Sequence, residues 1–225
     1  MSLTRVTRFG MVNAFLVAED DGLTLVDTTM GGGAAKAILA AARRLGRPIV
    51  RIALTHAHGD HIGSLDALAK ALPGVEVSIS ERDARLLVKN KTTDPGEPPE
   101  AKLRGSYPGT KTSPTRTLAP GDRIGSLEVV ASPGHTPGHV SFLDTRDRTL
   151  IAGDAYSSIG GVATTAKVNP LFPLPVMATW HKPTALETAR TLRTLDPARL
   201  AVGHGPIVDA PGAAMDKAIA KAARA

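Results

Sequence analysis

Apolar residues along this chain fall in short blocks separated by polar and glycine-rich turns. Residues 11–17 and 23–26 are apolar runs of strand length, and the polar turn between them, containing Asp21-Gly22, predicts a hairpin. Gly31-Gly32-Gly33 opens an Ala-rich stretch that predicts a helix to about Leu45, closed by Gly46 and Pro48. A β-branched strand is expected over 49–54, a helix over 62–72 that stops at Pro73-Gly74, and a strand over 75–79. Ser80 is placed to N-cap a short helix through Val88. Periodicity is absent from 90 to 114, which reads as a long loop. Strands resume at 127–131, 140–143 and 149–152. A second irregular stretch, 157–180, sets Pro170, Pro173 and Pro175 among apolar residues. Pro183 starts a helix to about Leu195; a last short strand at 200–202 and a last helix at 213–223 close the pattern. Strands followed by helices occur twice, which predicts an α/β fold with mixed strands, read as a single domain over 1–225.

Composition narrows the chemistry more than the fold. Hydrophobic residues make up 42% of the 225, enough for a core, but aromatics are only 3%, so that core rests on Ala, Leu, Val and Ile. There is no cysteine, which excludes disulfides, a thiol nucleophile and thiolate metal sites and leaves histidine and carboxylate as ligands. The formal charge of +6 comes from scattered rather than clustered Lys and Arg, so nucleic acid is not an expected partner. The apolar run 10–17 is broken by Asn13 and runs into Glu19, Asp20 and Asp21, the marks of a strand and not of a secretory leader. No stretch approaches membrane-spanning length, and a cytoplasmic protein is the expectation.

The sharpest local signal is Thr55-His56-Ala57-His58-Gly59-Asp60-His61, just past an apolar strand. Three histidines and an aspartate within six residues are hard to explain without a cation, because neutral imidazoles gain from close packing only around one. Gly59 lets the backbone bend so that residues on both sides can face one point.

This motif resembles the signature of the metallo-β-lactamase superfamily, and the order and spacing of the rest of the chain are similar to that family over about residues 12–206. Asp27, in Leu25-Val26-Asp27-Thr28, matches an acid at a strand end beneath the site. His135 matches a ligand in Ser132-Pro133-Gly134-His135-Thr136-Pro137-Gly138-His139; Asp154 follows Gly153 as the bridging aspartate; His204 stands in Gly203-His204-Gly205 as the final histidine. The resemblance implies a four-layer αββα sandwich of two mixed sheets with helices outside. It implies one metal held by His56, His58 and His135 and a second held by Asp60, His61 and His204, with Asp154 bridging. Two ions, zinc in the first place although ligand type alone suits iron and manganese as well, could then share a water and lower its pKa to near neutral, giving hydroxide as nucleophile against a carboxylic ester, lactone, thioester or lactam. Asp60 is the carboxylate expected to orient the nucleophile or take its proton.

Other side chains are weaker candidates. Tyr156, two residues past Asp154, is taken as a hydroxyl donor to a substrate carbonyl, or else as a buried aromatic. Asp27 and His139 are expected to support ligands rather than to bind metal. His181 faces either the cleft or solvent. Only 21 residues follow His204, short for the helical region with which a glyoxalase II binds glutathione, and His58 stands where flavodiiron enzymes carry glutamate. The loops 90–114 and 159–180 are the natural substrate walls, with Leu171, Phe172, Leu174, Val176 and Met177 favouring an acyl chain. The expected partner is a small-molecule substrate; oligomeric state is open, a homodimer included. Two other readings stand: a mononuclear iron persulfide dioxygenase, and a non-catalytic binding member of the fold.

Overall fold

The computed structural model describes residues 3–224. The first half runs β1 (Leu3–Arg8), β2 (Val12–Glu19), β3 (Gly22–Val26), α1 (Ala34–Arg44), β4 (Ile49–Ala53), α2 (Gly59–Ile62), α3 (Leu65–Ala71), β5 (Glu76–Ser80), α4 (Glu81–Leu87) and β6 (Arg116–Leu118). The second runs β7 (Arg123–Ile124), β8 (Leu127–Ala131), β9 (Val140–Asp144), β10 (Thr149–Ile151), β11 (Tyr156–Ser157), β12 (Ala163–Thr164), α5 (Leu174–Met177), α6 (Lys182–Thr194), β13 (Arg199–Ala201), β14 (Val208–Asp209) and α7 (Gly212–Ala223). Strand β1 carries only Leu3 and Val6 as apolar residues, pairs with one neighbour at a sheet edge, and so gave no apolar run to read.

Two six-stranded sheets form, ordered β1-β2-β3-β4-β5-β6 and β14-β13-β10-β9-β8-β7, both of mixed direction. Three apolar clusters mark the spaces between four layers. Leu16, Leu25 and Ile52 meet Ile38 of α1, Leu65 of α3 and Leu86 of α4 on the outer face of the first sheet. Phe15, Val17 and Val26 meet Leu127, Val129 and Phe142 between the sheets. Leu150 and Leu200 meet Leu192 of α6 and Met215 of α7 outside the second sheet. Successive residues of β2 thus point to opposite layers, both buried, which is why the central strands read as mainly apolar runs rather than as alternating ones. The architecture is the expected αββα sandwich.

Two parallel strand pairs matter for function, β3 with β4 and β10 with β13. All four end at the same rim, where the chain leaves the sheets as loops. There the sheets are tied together: Val12 and His204 form a β-bridge, and the buried Asn13 amide donates to the Val202 and Gly205 carbonyls.

Candidate metal centre

Every candidate ligand lies past one of these strand ends or in a loop beside it. Asp27 follows β3, His56 follows β4, His58 caps α2, and Asp60 and His61 lie within it. His135 sits in the β8–β9 loop, Asp154 follows β10 and His204 follows β13. The five histidines are buried, as is Asp154; Asp60 is half-buried.

Hydrogen bonds on the far side of each ring fix which nitrogen faces inward. Asp27 accepts from the Thr55 amide at 2.8 Å and, through its other oxygen, from the Thr55 hydroxyl and His61 Nδ1, each at 2.8 Å. With its proton given to Asp27, the Thr55 oxygen accepts from His56 Nδ1 at 3.0 Å, leaving a lone pair on His56 Nε2. His58 Nε2 donates to the Arg104 carbonyl at 2.9 Å and His204 Nδ1 to the Met11 carbonyl at 3.1 Å. Thr179 donates to the Pro175 carbonyl and so accepts from His135 Nδ1 at 3.2 Å. In their neutral forms all five rings therefore hold their N–H outward and turn a lone pair toward one point.

The inward atoms crowd each other. His58 Nδ1 and His135 Nε2 lie 2.9 Å apart, lone pair against lone pair in the neutral rings. Asp154 reaches both ends of the cluster, with Oδ1 3.3 Å from His61 Nε2 and Oδ2 3.1 Å from His204 Nε2 and 3.3 Å from His135 Nε2. Asp60 Oδ2 is 3.3 Å from His204 Nε2. His56 Nε2, His61 Nε2 and Asp154 Oδ1 are buried without a hydrogen-bond partner. Facing lone pairs and orphaned buried acceptors are costly unless a cation joins them, so the donor set fits metal ions. Three triads have donor atoms within 4.8 Å of one another: His56 with His58 and His135, Asp60 with His61 and His204, and, between them, His56 with His61 and Asp154.

Electrostatics divides the cluster in two. Burial, reinforced by the neighbouring imidazoles, pushes His56 and His135 well below the ordinary histidine value, and burial lowers His58 too. Burial opposes the charged forms of His61 and His204 as well, but the Asp154 carboxylate overrides it and raises both, His204 to about 9. Burial alone would raise Asp60 and Asp154; His61 and His204 hold both below the usual carboxylate range. The Asp60–His61–His204 end therefore keeps protons that the other end does not.

Supporting residues follow. His139 accepts from the Asp154 amide at 3.1 Å through Nε2 and turns Nδ1 to the Ser132 hydroxyl, while burial pushes it down to about 3; it stays neutral and fixes Asp154, as expected. Asp83, absent from the sequence reading, accepts from the Ala57 amide, the Thr136 hydroxyl and the Gly138 amide, tying together the two loops that carry His56, His58 and His135. Burial pushes its carboxyl up to about 6. In sequence Asp83 is indistinguishable from an ordinary acid in the first turn of α4.

Tyr156 requires a correction. Its side chain is fully buried in the layer between the second sheet and α6–α7, and its hydroxyl donates to the Ala189 carbonyl at 2.7 Å, so it is not a catalytic donor. Asp154 itself lies in a turn closed by the Ala155 amide on the Ala152 carbonyl, so the two-residue offset does not bring Tyr156 to the same side. His181 also stays out of the cleft: it N-caps α6 and meets Glu100 at 3.2 Å.

Above the cluster lies a cavity of about 350 Å³, with His58, Asp60, His135, Asp154 and His204 lining its base. Gly105 and Ser106 of the 90–114 loop form part of its wall, as do Phe172, Leu174 and Met177; Leu171 and Val176 do not reach it.

Known proteins are similar to this chain in different measure. The chain is 45% identical over 212 residues to the uncharacterized protein YobT of Bacillus subtilis (strain 168), covering 94% of this chain and 90% of that one. It is 30% identical over 160 residues to a hydroxyacylglutathione hydrolase of Stenotrophomonas maltophilia (strain R551-3), covering 71% of this chain but about half, 52%, of that enzyme. The solved structure of TTHA1623 in a di-iron-bound form aligns with a TM-score of 0.66 at 25% identity, covering 94% of this chain and 96% of that one. The family model of the metallo-beta-lactamase superfamily matches residues 7–204, a span that reaches every strand end bearing a candidate ligand, and the chain belongs to that superfamily.

Proposed function

We propose that the protein is a metal-dependent hydrolase with a dinuclear centre, zinc by ligand type, that cleaves a carboxylic ester, thioester, lactone or lactam. His56, His58 and His135 would hold one ion, Asp60, His61 and His204 the other, and Asp154 would reach both. The observation that carries this is the convergence of five imidazoles and two carboxylates in one cluster, three of the imidazoles and both carboxylates lining the base of one cavity and each histidine fixed from behind by an acceptor. Bound there, two metal ions would supply a Lewis acid for the scissile carbonyl and a water acidic enough to act as nucleophile at neutral pH.

The chain's own groups divide the remaining work. Asp60 is the cluster carboxylate with the greatest exposure, and its low pKa keeps it an acceptor that can orient an attacking water. Asp27 and Thr55 hold the His56 and His61 rings so that their lone pairs are aligned before any ligand arrives.

Elemental mass spectrometry of protein purified without added metal, followed by a screen of lactones, thioesters and β-lactams, tests the proposal. Two ions per chain with hydrolysis support it. The di-iron form of TTHA1623 makes iron the alternative metal to look for. One iron with oxygen consumption on a persulfide would replace it with the dioxygenase reading, and failure to bind any metal would end it. His58→Ala should lose one ion and nearly all turnover while the fold survives; unchanged hydrolysis would refute the ligand assignment.

A further inference from the structure

The walls of the cavity are of a different chemistry from its floor. Of nine large apolar residues exposed among the described residues, four (Met11, Met30, Leu174 and Met177) rim this one cavity, so the exposure is concentrated where a ligand would enter. Three of the chain's five methionines are among them, brought together from the β1–β2 turn, the β3–α1 loop and α5. Methionine is flexible and polarizable, suited to a chain of methylenes without one fixed shape. Deeper in, the Phe172 ring lies 5.2 Å from the His204 ring, carrying the apolar wall down to the metal cluster. No lysine or arginine lines the cavity, and Arg104, exposed beside Gly105, gives the site its carbonyl through His58. A carboxylate on the substrate would enter this wall without a partner, at a desolvation cost nothing repays.

Resting on the hydrolase reading, we infer that the substrate is a neutral ester, thioester or lactone with an extended aliphatic acyl chain, laid along the Met11, Met30 and Met177 wall. In the reaction, water oxygen bonds to the acyl carbon, the carbon–oxygen or carbon–sulfur bond breaks, and the alcohol or thiol leaves with a proton. Chain length should then set specificity: each methylene added from acetyl toward decanoyl should raise kcat/KM about fourfold until the cavity is filled. At equal acyl length, thioesters of the neutral thiol N-acetylcysteamine should be cleaved at least about tenfold better than those of the carboxylate-bearing thiol glutathione.

The test is a kcat/KM series over acyl length on the metal-loaded protein, paired with calorimetric binding of octanamide and acetamide, which needs no turnover. Rising rates together with tighter octanamide binding support the inference, and Met177→Asp should flatten both trends. Hydrolysis without chain-length dependence, or preference for the glutathione thioester, overturns the acyl-chain inference and leaves the hydrolase standing. Length-dependent amide binding without hydrolysis of any ester supports the apolar site and refutes the hydrolase. Neither hydrolysis nor length-dependent binding overturns both.

Discussion

Metal-free protein should take up its two ions with different pH dependence. Metals bind lone pairs, so any proton on a ligand must leave first. In the empty cluster His56, His58 and His135 are held below the ordinary histidine value, so at pH 7 that triad is already deprotonated. His61 and His204 are raised by Asp154, and His204, at about 9, keeps its proton. Removing that proton at pH 7, well below its pKa, costs on the order of 3 kcal/mol, roughly a hundredfold in affinity, and His61 adds in the same direction. Titrating stripped protein with Zn²⁺ in buffers of different ionisation enthalpy should show a first equivalent that releases no proton and a second that releases up to two. Tight stoichiometry should fall from two to one as pH drops from about 9 to 6. Stability follows with a definite sign. A histidine raised in the folded state contributes fully below the unfolded value of 6.5, and that contribution is lost as pH rises through about 9. Metal-free protein should therefore weaken in urea between neutral pH and pH 9, and loaded protein should not weaken by this route. Two equivalents with the same pH dependence, or a metal-free stability flat across that range, would refute the reasoning.

Three substitutions test the supporting geometry. Gly203→Ala would place a Cβ 2.1 Å from Asp154 Oδ1 and 2.6 Å from His61 Cε1, so the folded variant should lose at least one metal ion by elemental analysis. Asp27→Asn removes an acceptor shared by Thr55 and His61; it should cost about 2 kcal/mol in urea unfolding and weaken the His61 metal about tenfold or more, and unchanged metal affinity would count against the role given to Asp27. Tyr156→Phe breaks a core hydrogen bond to Ala189, so stability should fall by about 1 kcal/mol while kcat/KM holds; a tenfold fall in turnover would return Tyr156 to the active site.

The clustering of the seven candidate residues was legible because ligand chemistry is written in residue type: imidazoles and carboxylates packed past strand ends have few other uses. Central strands were legible because both of their faces are largely buried, so 23–26 and 49–54 are apolar but for one residue each, Thr24 and Arg51. What sets each ring's orientation was not legible, and the reason is physical. His58 and His204 are held by the carbonyls of Arg104 and Met11, and a backbone carbonyl is the same atom whichever residue carries it. Arg104 lies 46 positions from His58 and Met11 lies 193 from His204, contacts that exist only once the sheets have stacked. Tyr156 was misplaced because nearness in sequence to Asp154 fixes no direction for a side chain, and the turn between Ala152 and Ala155 sends Tyr156 into the core.

That division also says where function can vary within this architecture. The ligands stand on loops anchored at rigid strand ends, and Asp27, Asp83 and His139 lock those loops through buried acceptors that tolerate little change. The cavity wall is built otherwise, from Met11, Met30, Leu174 and Met177, exposed side chains on turns and on a four-residue helix that belong to none of the three core clusters. Stability thus constrains the metal-binding floor tightly and the wall loosely. Differences in substrate among proteins with this fold should accordingly concentrate in the β1–β2 turn, the β3–α1 loop and the α5 segment, with the seven-ligand floor held constant beneath them.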